Sequence, residues 1–429
     1  MSRNRIAITG MSINTPLGDS LEVFFDNLIA GQSAITRWKT YAIDNIYSKV
    51  GADLADYDVK AKLESFAGRL PADMYKRLRQ LVRRAPWSTG LSLLMSADAW
   101  LDAGMVDQPY DMSKVAVLVA GHNINQNYTH NNFKEFEDDP EFIEGLLALH
   151  GLDTDHAGSV SEMLQSYGPI YTMGAACASG NVALRSAVDE IRYHGNEVAV
   201  VVGAVLEFSP VDLQGMAIMG AIAHQNFNDE PQRASRPYDT QREGFVPAHG
   251  GAVLILEDFD KAVQRGARIH AEVLGVAAGA DGNHLPQPSR EGQAATMRRV
   301  LEDAGIAPEQ VDFISAHATS TPLGDITEIA SIKEVFAEHA YHLKINAPKS
   351  MLGHTCWAAP TVESVAAILQ LQRGTLHPSI NIENLDEEVD LDVCANKAIE
   401  SHPDICMKNS FGFGGINCVS LFRRVSSSG

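Results

Sequence analysis

The stretch "GPIYTMGAACASGNVALRSAVDEI" (residues 168–191) contains a short apolar run, then several small residues, and then a helical pattern. Apolar side chains recur at helical spacing from Val182 to Ile191, which predicts a helix that ends near Gly195. Cys177 then lies at the turn where this helix begins. Free N–H groups at a helix N-terminus favour the thiolate and can donate to an oxyanion. Cys177 is therefore either a small core residue or a nucleophile, and its position alone does not decide between them.

The bulk composition limits the class of protein. The chain has 429 residues, 45% of them hydrophobic and 21% charged, which predicts a globular protein with two core-forming halves. The first residues do not resemble a signal peptide, and no stretch approaches the roughly 20 apolar residues of a membrane span. Five cysteines without a C-x-x-C pair argue against a disulfide framework or a zinc site and indicate a reducing cytoplasm. The net charge of −20 argues against a nucleic-acid partner.

Short runs rich in β-branched residues alternate with helical patterns along the whole chain. The helical patterns include Leu91–Ala103 and Gln293–Ala304, the latter ended by Gly305, and a further pattern after His354 that is ended by Gly374. This alternation predicts an α/β protein with mainly parallel central sheets, and a strand–helix series in each half suggests a duplicated architecture. The strand-like runs are residues 5–10, 115–121, 197–205, 251–258, 269–279 and 311–319.

Two histidines and a Gly-Phe loop occupy turns in the second half. His317 lies in "DFISAHATSTPLGD" and His354 in "NAPKSMLGHTCWAAPTVESVAAIL". A catalytic thiol needs histidine close in space, and a neutral imidazole can donate an N–H or move a proton. In "NSFGFGGIN" (residues 409–417) glycine lets the backbone approach a ligand, which Phe411 or Phe413 can cover. A terminal strand is predicted after this loop, rather than the helix that a dinucleotide site requires.

Combined and in this order, the segments resemble the β-ketoacyl-acyl-carrier-protein synthases, specifically the type II elongating branch of the thiolase-like superfamily. The resemblance implies an α/β fold of five layers, αβαβα, made of two similar halves. Residues 1–258 would carry the nucleophilic cysteine, and residues 259–429 would carry the two histidines and the Gly-Phe loop. The segments run nearly end to end and are "RIAITGMSINTPLG", "GAACASGN", "RASRPYDTQREGF", "AHATSTPLGD", "KSMLGH" and "NSFGFGGIN".

The resemblance also implies an acyltransferase with a Cys-His-His site. Cys177 would be acylated by a thioester, while His317 and His354 would assist decarboxylation of a malonyl-carrier thioester and stabilise the enolate. The enolate would attack the acyl group and give a β-ketoacyl-carrier product. The N–H groups of Cys177 and Phe413 would form the oxyanion hole, and the Phe413 ring would act as a gate. No metal or cofactor is expected, since the substrates arrive on the phosphopantetheine of an acyl carrier protein.

Five further residues match supporting positions of the family. Thr319 and Thr321 match the pair that binds the pantetheine arm. Lys349 and Glu363 match a charged pair behind the site, which Glu328 is expected to join. A buried ion-pair network that only supports the fold is the simpler interpretation of these charged residues, and the two interpretations are compatible.

Several residues depart from the pattern of the family. Ala318 stands where glycine usually follows the first histidine, and "PAHGG" (Pro247–Gly251) replaces a stretch that contains glycine and glutamate. After His354 the sequence reads "TCWAAP", which brings Trp357 near the site. These changes favour a specialised ketosynthase of a polyketide or similar pathway, in which Trp357 narrows or redirects the acyl pocket.

The expected partners are an acyl carrier protein supplied in trans and a second ketosynthase chain, either identical or related. Carrier proteins of this type are acidic, so an acidic enzyme needs a local basic surface. Lys261, Arg265 and Arg268 form one such cluster. The stretch "MYKRLRQLVRRAPW" (residues 74–87) holds the preferred docking patch, made of Lys76, Arg77, Arg79, Arg83 and Arg84.

Three rival functions stay open at this stage. The second-ranked function is a malonyl-carrier decarboxylase that does not catalyse condensation. Loss of the cysteine would have favoured this function, but Cys177 is present. A non-catalytic chain-length factor need not keep the thiol and both histidines. A coenzyme A thiolase would need a second active cysteine near the C-terminus, where Cys418 lies.

Overall fold

The computed structural model describes residues 4–107 and 110–425. The strands are β1 (Ile6–Asn14), β2 (Thr36–Arg37), β3 (Val50–Gly51), β4 (Val115–Ala120), β5 (Ile170–Met173), β6 (Val198–Gly203), β7 (Gly251–Asp258), β8 (Ala271–Ala280), β9 (Phe313–Ser315), β10 (Lys344–Asn346), β11 (Thr375–Leu376), β12 (Ile399–Glu400), β13 (Ile405–Gly412) and β14 (Ile416–Arg423). The helices are α1 (Leu21–Ile29), α2 (Val59–Glu64), α3 (Ala72–Val82), α4 (Trp87–Asp102), α5 (Gln126–Asp138), α6 (Leu147–His150), α7 (Thr154–Leu164), α8 (Ser179–Tyr193), α9 (Pro210–Ile218), α10 (Phe259–Gln264), α11 (Arg290–Ala304), α12 (Pro322–Phe336), α13 (Lys349–Leu352) and α14 (Ala359–Arg373).

Ten strands form one continuous sheet in the order β5-β4-β6-β7-β1-β8-β14-β13-β9-β10. Counted from either edge, the two halves of this sheet repeat the same arrangement. The outer three strands are parallel, whereas the fourth and fifth each run antiparallel to the strand before them. An antiparallel contact between β1 and β8 joins the halves. The predicted mainly parallel sheet is therefore wrong, because β7 and β14 insert in the reverse direction between strands that precede them in the chain.

Helices cover the sheet on both faces and also fill its middle. α8 and α14 pack against each other and contact strands of both halves, so they form a central layer. α4 packs on β1 and β7, and α11 packs on β8 and β14, which gives the two outer layers. The central helices approach closely, since a Cβ on Gly180 would lie 2.6 Å from the Thr361 hydroxyl oxygen. This arrangement is the expected five-layered αβαβα fold.

Several predicted helix ends are confirmed. α8 reaches Tyr193, and Gly195 follows it with a positive φ of 78°. Gly305 and Gly374 end α11 and α14 in the left-handed conformation, with φ of 65° and 67°. Glycine adopts this conformation without the steric cost of a Cβ, so it ends a helix readily.

The division into halves at residues 258 and 259 remains a prediction. The boundary falls where β7 ends and α10 begins. The predicted halves, 1–258 and 259–429, include residues 1–3, 108–109 and 426–429, which lie outside the described ranges. None of the described helices is long and apolar enough to cross a membrane.

Candidate active site

Cys177 lies in a one-turn 3-10 helix, Ala176–Ala178, between β5 and α8. Its side chain is buried, with the whole residue 5% exposed. Burial raises the pKa of the thiol to about 11, although the Lys349 ammonium and the backbone N–H groups of Phe413 and Cys177 act to lower it. The backbone N–H groups favour the thiolate as the sequence predicted, but burial outweighs them together with the nearby ammonium group. The resting side chain is a neutral thiol.

The backbone on both sides of His317 is held by charged side chains. Glu328 accepts the N–H groups of His317 and Ala318 at 2.9 and 2.8 Å, and Lys349 Nζ donates to the His317 carbonyl at 2.7 Å. Ala318 has a positive φ of 24°, a conformation that glycine adopts more readily. The position where alanine replaces the family's glycine is thus one where the backbone favours glycine.

The His354 turn fixes the tautomer of its imidazole. The His354 N–H donates to the Val246 carbonyl at 2.7 Å, and its carbonyl accepts the Ala248 N–H at 3.0 Å. The Cys356 N–H donates to His354 Nδ1 at 3.2 Å, so a neutral ring carries its proton on Nε2. That Nε2 atom is buried and has no hydrogen-bond partner among the described residues. His354 therefore offers an unused N–H donor inside the site.

The two imidazoles face each other in a perpendicular arrangement. Their ring centroids are 5.6 Å apart, with 84° between the ring planes. Burial, reinforced by the charges of Lys349 and Lys408, lowers the pKa of both His317 and His354 well below its ordinary value. Both rings are consequently neutral near pH 7, the state in which each imidazole has one N–H donor.

One cavity of about 290 Å³ connects these groups. Thr319 and Thr321 line it with their hydroxyl oxygens 3.1 Å apart. The cavity therefore brings together the predicted nucleophile, both histidines, the pantetheine-binding threonines and the gate residue. Its lining includes Cys177, His317, His354, Thr319, Thr321, Phe245, Phe411, Gly412, Phe413, Met219, Leu285 and Leu323.

The Gly-Phe loop contacts the Cys177 turn through its backbone. A Cβ on Gly412 would lie 2.8 Å from the Ala175 carbonyl oxygen and 3.2 Å from the Cys177 nitrogen, so this close approach requires glycine. The backbone N–H groups of Phe413 and Cys177 both act to lower the pKa of the thiol, the electrostatic effect that donors of an oxyanion hole would have. The Phe413 side chain is 38% exposed and lines the cavity, which suits the predicted gate.

A buried charge network lies behind the histidines and contains a lysine that the sequence analysis missed. Glu363 pairs with both Lys349 and Lys408, and all three side chains are at most 2% exposed. Glu328 differs from the expectation, because it binds backbone N–H groups and Asn409 Nδ2, at 2.9 Å, instead of joining the Lys349–Glu363 pair directly. The available signal was a lysine within the otherwise uncharged run "ICMKNSF" of a buried strand.

None of the other four cysteines is among the described residues that line the cavity. All five cysteines are free and buried. Cys418 lies in β14 against Ala175 and Ala178, and burial raises the pKa of its thiol to about 12. It is not among the described residues that line the cavity, which argues against the thiolase alternative. Within residues 4–107 and 110–425, no group of three histidine, cysteine or acidic side chains could hold a metal ion.

The two basic clusters differ in their surroundings. α3 packs on α4 and α7, and four of the five docking-patch residues, Lys76, Arg79, Arg83 and Arg84, are exposed. Arg77 instead is partly buried and donates to the Met163 carbonyl at 3.2 Å. In the second cluster Arg265 binds Glu257 at 2.8 Å and Lys261 pairs with Glu197 at 2.8 Å. Acidic neighbours thus neutralise two of the three charges in the second cluster, which favours the first.

A buried thiol facing two neutral imidazoles, carried on five αβαβα layers, is the arrangement of a thiolase-like condensing enzyme. Residues 3–262 match the family described as "Beta-ketoacyl synthase, N-terminal domain", and residues 270–383 match its C-terminal domain. The chain belongs to the β-ketoacyl synthase family.

Relatives and solved structures agree with this assignment. A 3-oxoacyl-acyl-carrier-protein synthase 2 from Coxiella burnetii is 31% identical over 99% of this chain and 100% of its own length. A polyketide biosynthesis malonyl-ACP decarboxylase from Bacillus subtilis is 28% identical over 99% of this chain and 97% of its own. The solved ishigamide ketosynthase/chain length factor superposes with a TM-score of 0.87 at 27% identity, covering 99% of this chain and 100% of the other.

Proposed function

We propose that this enzyme condenses an acyl group held on Cys177 with a malonyl-acyl-carrier protein, with loss of carbon dioxide. The observation that carries the proposal is the single cavity shared by the Cys177 thiol and the neutral rings of His317 and His354. A condensing enzyme needs a nucleophile for the acyl group and N–H donors for an enolate, and both kinds of group face the same space here.

The proposed reaction has three chemical steps: acyl transfer to Cys177, decarboxylation and condensation. Cys177 attacks an acyl thioester, forms a new thioester and releases the donor thiol. The malonyl carboxylate then leaves as carbon dioxide, and its bonding electrons remain on the thioester as an enolate stabilised by His354 Nε2–H and His317. The enolate carbon attacks the acyl carbonyl, and the resulting oxyanion collapses to expel the Cys177 thiolate. Because burial raises the pKa of Cys177 to about 11, the expelled thiolate takes up a proton from solvent, which replaces the proton that left with the donor thiol, and returns to the resting thiol.

The remaining predicted residues have supporting roles in this proposal. The N–H groups of Cys177 and Phe413 bind the oxyanion, and Thr319 and Thr321 bind the pantetheine arm where they line the cavity. The reaction needs no cofactor of the protein, since both substrates are thioesters. Lys349 supports the site from behind through its hydrogen bond to the His317 carbonyl.

The proposed partners are an acyl carrier protein and a second ketosynthase chain. The exposed residues Lys76, Arg79, Arg83 and Arg84 offer an acidic carrier a basic surface on a protein whose net charge is −20. The names of the Coxiella relative and the ishigamide neighbour support an acyl-carrier substrate and a paired chain respectively. Five free, buried thiols support a location in the reducing cytoplasm. The departures in sequence favour a polyketide or specialised fatty-acid pathway.

The test is the intact mass of the enzyme after incubation with acyl-N-acetylcysteamine thioesters, beside Cys177→Ala. We expect a gain of one acyl group that the variant loses, followed by a β-ketoacyl product when malonyl-carrier is added. Carbon dioxide release without acylation would instead identify a malonyl-carrier decarboxylase, the alternative that the Bacillus relative favours. The absence of both acylation and carbon dioxide release would favour the alternative of a chain-length-factor partner.

A further inference from the structure

A stacked aromatic pair joins the turns that carry Cys177 and His354. The Trp357 and His122 rings lie 4.3 Å apart with 25° between their planes. Trp357 belongs to the one-turn helix Cys356–Ala358, which packs against the Cys177 turn. On the other side, a Cβ on Gly174 would lie 3.0 Å from the His122 side chain. His122 therefore sits directly against the backbone three residues before Cys177.

The proposed reaction needs two separate spaces at Cys177. While the malonyl-pantetheine arm occupies the 290 Å³ cavity, the acyl group is still bound to the Cys177 sulfur. The acyl chain must then extend away from the cavity mouth. The turn that holds Trp357 lies against the Cys177 turn, which places the His122–Trp357 pair beside the nucleophile and outside the lining of the 290 Å³ cavity.

Side chains fill the region around the stack. Cys356 is 3% exposed and packs with Phe208 and Leu206 in a cluster that Trp357 also contacts. A Cβ on Gly121 would lie 2.8 Å from Ile124 and 3.4 Å from Trp357, so the loop before α5 closes on the same ring. Neither His122 nor Trp357 is among the described residues that line the 290 Å³ cavity. The packing leaves the indole against His122 on one face and against buried side chains around it.

We propose that the His122–Trp357 stack closes the acyl-binding space behind Cys177, so that acetyl-sized groups load Cys177 and long unbranched acyl chains do not. This inference depends on the proposed function, because it takes Cys177 as the acylated residue. A single methylene that a pocket cannot hold changes specificity by roughly 10- to 200-fold. An octanoyl chain adds several methylenes, so we expect discrimination of at least about 100-fold.

The experiment compares acetyl- and octanoyl-N-acetylcysteamine as acyl donors, with loading of Cys177 followed by intact mass. In the unmodified enzyme we expect octanoyl loading to be at least about 100-fold slower than acetyl loading. Trp357→Ala should raise the ratio of the octanoyl to the acetyl loading rate by about ten-fold or more. The matched control is Tyr47→Ala, which removes an exposed ring stacked on His224 at 6.0 Å and should change neither rate.

His122→Ala removes the other half of the stack and should shift the preference in the same direction by a smaller factor. It serves as the second variant if Trp357→Ala does not fold, which thermal unfolding and acetyl loading will show. Equal octanoyl and acetyl rates in the unmodified enzyme would overturn the inference, as would folded stack variants that still exclude octanoyl. Loading without formation of a β-ketoacyl product would overturn only the proposed condensation. No loading in any variant would overturn both.

Discussion

Removing the charge of Glu363 should strongly destabilise the protein. This carboxylate pairs with both Lys349 and Lys408, and the three side chains are at most 2% exposed. Glu363→Gln therefore leaves two ammonium groups in a low-dielectric interior without an anion between them. Removing one partner of a buried pair costs about 3–5 kcal/mol, because the remaining charge is uncompensated.

The assay is urea unfolding at a fixed protein concentration, with the free energy of unfolding obtained by linear extrapolation. The matched control is Glu334→Gln, since Glu334 also bridges two cations, Arg290 and Arg298, but at the surface with 26% of its side chain exposed. We expect the control to lose no more than about 1 kcal/mol. A loss below about 1 kcal/mol for Glu363→Gln as well would refute the reasoning.

A double variant separates the charge from the packing. Adding Lys408→Met to Glu363→Gln removes one of the two uncompensated cations while it keeps a chain of similar length. Residues in one ion-pair network show interaction energies of about 0.5–3 kcal/mol, so the double variant should be more stable than the sum of the single effects. Strict additivity would show that the two side chains do not share a network.

Three further predictions concern the reacting groups and the docking patch. Burial raises the pKa of Cys177 to about 11, so the rate of its alkylation by iodoacetamide should rise about ten-fold per pH unit from about pH 7 to about pH 9. A rate that stops rising within this range would contradict the raised pKa. His354→Ala removes the unpartnered Nε2–H donor and should slow carbon dioxide release from malonyl-carrier by about 10²- to 10³-fold, and release within about two-fold of the original rate would argue against that role. Replacing Arg83 and Arg84 by glutamate should raise KM for the carrier substrate several-fold, and the rise should be smaller at high salt. KM for malonyl-N-acetylcysteamine, which has no carrier protein, should stay unchanged. An equal rise in KM for both substrates would place the defect inside the cavity.

The local residue pattern was sufficient to predict the elements that bear the catalytic residues. Helical spacing after Cys177, ended by Gly195, correctly predicted a helix that proves to span Ser179–Tyr193. The glycines after α11 and α14 ended those helices as expected, because a left-handed residue at that point has a local steric cause. The Gly-Phe loop was predicted as a place where the backbone approaches a ligand, whereas the structure shows that Gly412 allows it to approach the backbone of the Cys177 turn.

Direction and pairing of strands required the tertiary structure. The apolar runs of β6 and β7 indicated two buried strands, but their sequences do not show that they pair antiparallel. Hydrophobic periodicity reports which faces are covered, whereas strand direction depends on how distant segments cross the sheet.

Residue patterns and short motifs were enough to indicate the family, several of the elements and the three residues whose types permit the chemistry. The physical state of those residues depends on the folded structure. It buried Cys177 so that its thiol is neutral, and it placed Lys408 beside Glu363. Burial and charge proximity arise from segments that are far apart in the chain, so no local pattern contains them.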